Sequence, residues 1–175
     1  MDKLDIVTDE SGNRVVLLPE IIFSNKQNIN WDDVEDYLGK YVGELIEIAE
    51  TRDIIYIGNK FPDEYGGSSY TRKTKGARAK AKANAAQGIR EMVEIATDKV
   101  YRENHKEKHS EDAHNGWFYY VTRFAIPLYN NEKKTGEYNV YSACLVVNHA
   151  ANGKMYLYDV VGIKKEASNP LKTNK

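Results

Sequence analysis

A single cysteine, Cys144, serves 175 residues. That excludes an internal disulfide and every zinc site built on paired thiolates. Inside the apolar run SACLVV it reads as a small buried hydrophobe rather than a reactive thiol. Long hydrophobic runs are also lacking. No stretch reaches the roughly 18 apolar residues of a membrane-spanning helix, and the start MDKLDIVTDE has no apolar signal-peptide core. A cytoplasmic protein with no membrane contact is expected. Nor does one sign of charge dominate. With 25 Lys and Arg against 26 Asp and Glu, the net −1 excludes a globally basic nucleic-acid binder but not a local basic patch. A Gly-rich phosphate loop is missing as well, since GGSS alone does not make one, so a transferase acting on NAD or nucleotides gains no support.

What is present is an ordinary globular composition, 41% hydrophobic and 29% charged. A chain of this length buries about 70% of its unfolded surface, so no disulfide or structural metal is needed for stability. The 13 tyrosines lie mostly in alternating runs, where aromatics pack on a half-buried pleat; a platform for stacked bases is the alternative.

LDIVT, the turn ESGN and RVVLLP read as a hairpin. Asn30 before WDDVEDYLGKYVGEL is an N-cap with acidic residues in the first turn, and Trp31, Val34, Tyr37, Leu38 and Tyr41 recur at helical spacing. DIIYIG is a short buried strand, and KFPDEYGGSSYTRKTKG is a loop. Residues 77–104 predict one long helix with Ala77, Ala81, Ala85, Ile89, Met92 and Ala96 as its apolar seam. WFYYVTRFAIPLY, YNVYSACLVVNHA and MYLYDVVGIKK then follow as three strands with short turns, an antiparallel meander. The expected class is α+β, an N-terminal hairpin and helices packed on an antiparallel sheet. Residues 1–29 are expected as a hairpin appendage, 30–171 as a single domain and 172–175 as a frayed tail.

No acidic residue occurs between Tyr65 and Arg90, where Arg72, Lys73, Lys75, Arg78, Lys80, Lys82 and Arg90 are all cationic. Solvated helix faces normally mix signs, because i,i+4 pairs of opposite charge stabilise them. A one-signed tract in a chain of net charge −1 therefore points to a polyanion such as RNA phosphate. Lys75, Arg78 and Lys82 share a helical face, and with Arg72 and Lys73 they are the candidate substrate-binding residues.

NHKEKHSEDAHNGW holds three of the four histidines, His105, His109 and His114. The spacing of His105 and His109 suits a helical zinc pair, but Lys106 stands where a zinc protease needs Glu, and Lys108 crowds the site. No third ligand is evident beyond Asp112 or His114, so no metal and no cofactor is expected. A histidine among cations suits RNA cleavage, which needs a base for the 2′-hydroxyl, an acid for the leaving 5′-oxygen and positive charge around the phosphorane. Exposed histidines at a helix end are the plain alternative. Arg123 lies on an apolar-aromatic strand, sharing a face with Tyr119 and Val121 and opposite Tyr120, Thr122 and Phe124. Ser142 occupies the middle strand, Lys164 and Lys165 end the last, and Asp159 is an acid in an apolar run.

DEYGGSSYT, KAKANAAQGI, EN-x3-KH-x2-DA-x2-GW, RFAIP and YLYDVVGIKKE-x-SNPL, in this order and spanning about 30–171, resemble a family of phage and integrative mobile elements. It is described as a phage-associated branch of the barnase–EndoU–colicin–RelE-like nucleases, sometimes carried on polyvalent or head-morphogenesis proteins. The resemblance implies helices against a four-stranded antiparallel sheet with the active site on its open face. It also implies metal-independent RNA cleavage that leaves a cyclic phosphate. The family pattern falls on Lys108, His109, Asp112, Arg123, Lys164 and Lys165. This chain departs from it at Phe118-Tyr119-Tyr120, where the family reads aromatic-Arg-aromatic. The expected function is a toxin-like RNA endonuclease. His109 is the expected acid or base, Lys108 and Arg123 the phosphorane stabilisers, and Asp112, Ser142 and Lys164 further site residues. RNA, tRNA included, is the expected substrate, and an immunity or antitoxin protein is a candidate partner. A non-catalytic nucleic-acid- or protein-binding module of a mobile element is the alternative.

Overall fold

The computed structural model describes residues 3–24, 28–103, 115–166 and 169–173. A hairpin of β1 (Ile6–Thr8) and β2 (Arg14–Leu17) opens the chain, and α1 (Trp31–Leu38) follows. The Asn30 side chain caps α1 by accepting from the Asp32 N–H, and Val34 and Leu38 are buried beneath it. A second hairpin, β3 (Leu45–Glu47) and β4 (Ile54–Tyr56), leads into the segment expected as a loop. That segment instead forms α2 (Phe61–Gly67) and α3 (Ser69–Lys73). Pro62 sits in the first turn of α2, where its missing N–H has no cost, and Ser68 caps α3 by accepting from the Thr71 N–H. Glycine and serine here punctuate two short helices rather than exclude them.

The single long helix expected over 77–104 is interrupted. It divides into α4 (Gly76–Ala85), a 3-10 turn and α5 (Ile89–Glu94), and the stretch after it is strand β5 (Thr97–Arg102). The physical reason lies at Gly88. A Cβ there would stand 3.1 Å from Leu18 and 3.2 Å from Val16, so the end of β2 packs tightly over the break and a larger residue would have to displace those side chains. Carbonyls released by the break are taken up by the Tyr41 hydroxyl, which donates to Ala86 O at 2.7 Å and Gln87 O at 3.0 Å. Ala81, Ala85, Ile89, Met92 and Ala96 are buried as the seam requires, whereas Ala77 is exposed.

β6 (Trp117–Asn130), β7 (Lys133–His149) and β8 (Met155–Lys165) form the expected antiparallel meander. The whole sheet, however, is mixed and curled. Its order is β1-β2-β6-β7-β8-β4-β3, with β2 parallel to β6 and β4 parallel to β8. The plain antiparallel sheet is thereby corrected: two short strands from outside the meander dock parallel along its edges. β5 pairs with the first half of β6, and β9 (Leu171–Lys172) pairs with Glu137 and Tyr138 of β7. Val16 and Leu18, at the end of the N-terminal hairpin, are fully buried in the main core.

The helices cover one sheet face, where Tyr120, Phe124, Tyr141, Leu145, Val147 and Ile163 join the main core. Trp117, Tyr119, Val146, Tyr158 and Val161 form a smaller cluster of strand residues on the other face. The period-two reading therefore separates Tyr119 from Tyr120 and Phe124 as observed. Among the described residues no helix is long and apolar enough to cross a membrane.

Asp53 ties the β3–β4 hairpin to the sheet. Its Oδ2 accepts from Thr51 Oγ1 at 2.7 Å, Tyr120 OH at 2.8 Å and Lys99 Nζ at 2.9 Å. Burial pushes this carboxyl up, but the hydrogen bonds from Lys99, Thr51 and Tyr120 outweigh it and hold the group below its ordinary value. A depressed folded pKa contributes stability above the unfolded pKa of about 3.9, and the contribution is lost as pH falls through the folded value. Asp53→Asn is therefore expected to be less stable than wild type at pH 7 and to lose less on acidification below about pH 4. Urea melts across that range check it, and an unchanged acid slope in the variant refutes it.

Candidate functional site

The strand register collects three of the expected site residues. Arg123 of β6 is paired with Ser142 of β7, and Ser142 with Lys164 of β8. Residues directly opposite on antiparallel strands have Cβ atoms about 5 Å apart, so the three form a row about 10 Å long. Arg123 Nε donates to Glu166 Oε1 at 3.1 Å, with side chains 22% and 34% exposed. Among the described residues nothing else holds the guanidinium, which leaves its terminal amino groups for a planar, two-point contact with an oxyanion. Ser142 Oγ makes only a long contact of 3.5 Å to Lys164 O, and Lys164 is exposed. Glu166 is an addition to the sequence-derived set. Its position one residue beyond β8 hid it, because only the register shows that it reaches Arg123.

Further along the same face, Trp117 and Tyr158 meet edge to face at 5.0 Å beside Tyr119. Cys144 lies between the cation row and this aromatic cluster. Burial pushes its thiol up, against one opposing hydrogen bond from the Tyr120 backbone, so it remains protonated at neutral pH.

The basic tract approaches the end of β8 that carries Lys164. Arg72, Lys73, Lys75 and Arg78 are exposed on α3 and at the start of α4. Tyr70, two residues before Arg72, accepts the Ile163 N–H at 2.9 Å, next to Lys164. Lys82 is a correction. It is fully buried, with Nζ 2.6 Å from Asp159 Oδ1 and 2.6 Å from Thr71 Oγ1, and it faces the rings of Tyr65 and Tyr70. Helical spacing does place it on the face of Lys75 and Arg78, but α4 enters the interior between those positions and its own. Burial pushes Lys82 down and Asp159 up, and their mutual attraction opposes both. Lys82 is thus a core cation with an internal counterion, not a substrate contact.

Lys108, His109 and Asp112 lie outside the described residues. The described flanks of their segment are at the far end of the sheet. Tyr101 OH donates to Asn115 O at 3.0 Å, and the Asn115 N–H donates to His149 O at 2.9 Å. The fourth histidine, His149, therefore sits there too, its ring 5.6 Å from that of Phe118. From Trp117 to Arg123 the strand rises about 20 Å. His149 was missed because nothing in its local sequence distinguishes it; only pairing between β6 and β7 brings it to that end.

A cavity of about 330 Å³ opens between Leu4, Tyr37, Lys40, Arg90 and Glu91. Its polar groups serve one another. Arg90 pairs with Glu44, Lys40 Nζ lies 3.8 Å from the Tyr37 ring centroid, and Glu91 accepts the Leu4 N–H at 3.2 Å. Among the described residues, no three His, Cys, Asp or Glu side chains are grouped as metal ligands. Comparison with protein-family models, curated proteins and solved structures gives no match.

Proposed function

We propose that this chain is a metal-independent RNA endonuclease of phage or mobile-element toxin type, with its phosphate site on the sheet face that is helix-free among the described residues. The observation that carries this reading is the cross-strand row Arg123–Ser142–Lys164. Two cations on a rigid sheet, spaced to span one phosphate, suit a reaction in which charge develops on a pentavalent phosphorane. A base takes the 2′-hydroxyl proton, O2′ bonds to phosphorus, and the 5′-oxygen leaves with a proton from an acid, giving a 2′,3′-cyclic phosphate. Arg123 and Lys164 bind the non-bridging oxygens. Glu166, hydrogen-bonded to Arg123, is the acid–base candidate at the row itself; His109, given the second acid–base role from the sequence, has to reach the row from flanks about 20 Å along β6. The exposed tract Arg72, Lys73, Lys75 and Arg78, which follows Tyr70 near the end of β8, is assigned to the flanking backbone. The barnase/RelE-like fold expected from the resemblance belongs to the same proposal. Its support is the antiparallel meander with helices on one face.

The test is incubation of purified protein with total RNA and with tRNA in EDTA, with end-group analysis for cyclic phosphate and His109→Ala as comparison. Failure of fresh wild-type protein to cut any RNA sinks the endonuclease. RNA retained without cleavage identifies the binding module instead.

A further inference from the structure

β8 holds two residues more than its pairing with β7 requires, and one buried network touches both insertions. Val146 and Val147 face Asp159 and Leu157, whereas Ser142 and Cys144 face Lys164 and Val161, so an extra residue enters near Tyr158 and another near Gly162. The second bulge decides where Lys164 points. Val161 packs on the helix-free face with Trp117 and Tyr119. Regular alternation from Val161 would turn residue 163 outward and residue 164 toward the helices. Instead Ile163 is buried in the main core, and Lys164 is exposed opposite Ser142. Gly162 adopts φ +60° to make the exchange, a conformation that L side chains avoid.

A bulge leaves ladder groups unpaired, and here the Ile163 N–H is taken from the helix side. The Tyr70 hydroxyl accepts the Ile163 N–H at 2.9 Å. Its ring centroid lies 5.0 Å from Lys82 Nζ, and Lys82 binds Asp159 at the first bulge and Thr71 beside Tyr70. Asp159 Oδ1 also accepts its own neighbour's N–H, from Val160, at 2.8 Å.

We infer that Tyr70, braced by Lys82, is a positioning residue that fixes the bulge at Gly162 and thereby sets Lys164 beside Ser142 and Arg123. The inference rests on reading that row as the phosphate site, and its test separates the two. Tyr70→Phe keeps the ring and removes the acceptor. Amide exchange at Ile163 is expected to rise at least about tenfold, while core amides such as Phe124 keep their rates. RNA affinity is expected to fall by the same factor as in Lys164→Ala. Tyr70→Phe should cost nothing more in the Lys164→Ala background, because a residue acting through Lys164 has nothing left to position. Additive losses overturn the inference. Geometry is read without RNA in a chain carrying Ser142→Cys, Lys164→Cys and Cys144→Ala. Directly opposed residues, about 4.5–5.5 Å apart at Cα, oxidise readily, and the cross-link should weaken once Tyr70→Phe is added. An undiminished cross-link also overturns it. Should Tyr70→Phe fail to fold, Gly162→Ala strains the same bulge from the strand side and should weaken the same cross-link. If wild-type protein ignores RNA while cross-link and exchange respond, the phosphate reading fails and the register role stands.

Discussion

Lys82→Ala is expected to cost about 3–5 kcal/mol of unfolding free energy, because it leaves a buried carboxylate without its counterion. Asp159 is 3% exposed and its only cationic partner among the described residues is Lys82, at 2.6 Å. A domain of this size holds about 5–15 kcal/mol in all, so the loss is a large fraction of the total. The ion pair itself contributes little net stability, since two desolvated charges roughly cancel their attraction. Removing both charges is therefore much milder than removing one. Lys82→Met combined with Asp159→Leu is expected within about 1–2 kcal/mol of wild type, and more stable than either single variant. Urea denaturation resolves this as a lower midpoint at unchanged slope for Lys82→Ala. A Lys82→Ala variant that loses less than about 1 kcal/mol would place Asp159 in contact with water and remove the basis for Lys82 as the brace of Tyr70.

That buried pair also marks a limit of what local sequence encodes. Strands β6, β7 and β8 were legible because their alternation spans many residues and their turns are short. α1 was legible because Asn30 and the first-turn acids announce it. α2 and α3 were not: each is too short for a periodic pattern, and Gly66, Gly67 and Ser68 look like loop chemistry. The single helix expected over 77–104 follows from an alanine-rich seam that masks Gly88 and the β propensity of Thr97, Val100 and Tyr101. The parallel docking of β2 and β4 depends on long-range edge pairing, which leaves no local trace. At the site, Arg123's face followed from period two. Lys164's did not, because a bulge at Gly162 reverses the count, and a bulge glycine looks like any other glycine in a strand. The burial of Lys82 is hidden from the sequence for a related reason. Helical spacing fixes which residues share a side, not which part of that side dips into the core.

Arg123→Ala is expected to slow RNA cleavage by about 10²–10³, the range seen when a preorganised donor to developing charge is removed. Its loss should hardly affect folding. The Arg123–Glu166 pair is part-exposed, and such surface pairs contribute about 0–1 kcal/mol. Activity and stability are therefore separable at this position, as they are not at Lys82. Arg123→Lys should recover only part of the rate, because an ammonium restores the charge but not the planar fork that Glu166 orients through Nε. Glu166→Gln distinguishes the two roles open to the carboxylate. As an orienting group its amide oxygen still accepts from Nε and most of the rate survives; as the proton acceptor from the 2′-hydroxyl it cannot be replaced, and the rate falls as far as in Arg123→Ala. Single-turnover cleavage at saturating protein keeps these effects apart from weakened binding. The salt dependence of affinity should become shallower by about one phosphate contact in Arg123→Ala and stay unchanged in Glu166→Gln. Cleavage by Arg123→Ala within about threefold of wild type, less than 1 kcal/mol of barrier, would move the chemistry away from the helix-free face. The end of the sheet where His149 meets the flanks of the histidine-rich segment would then be the place to look.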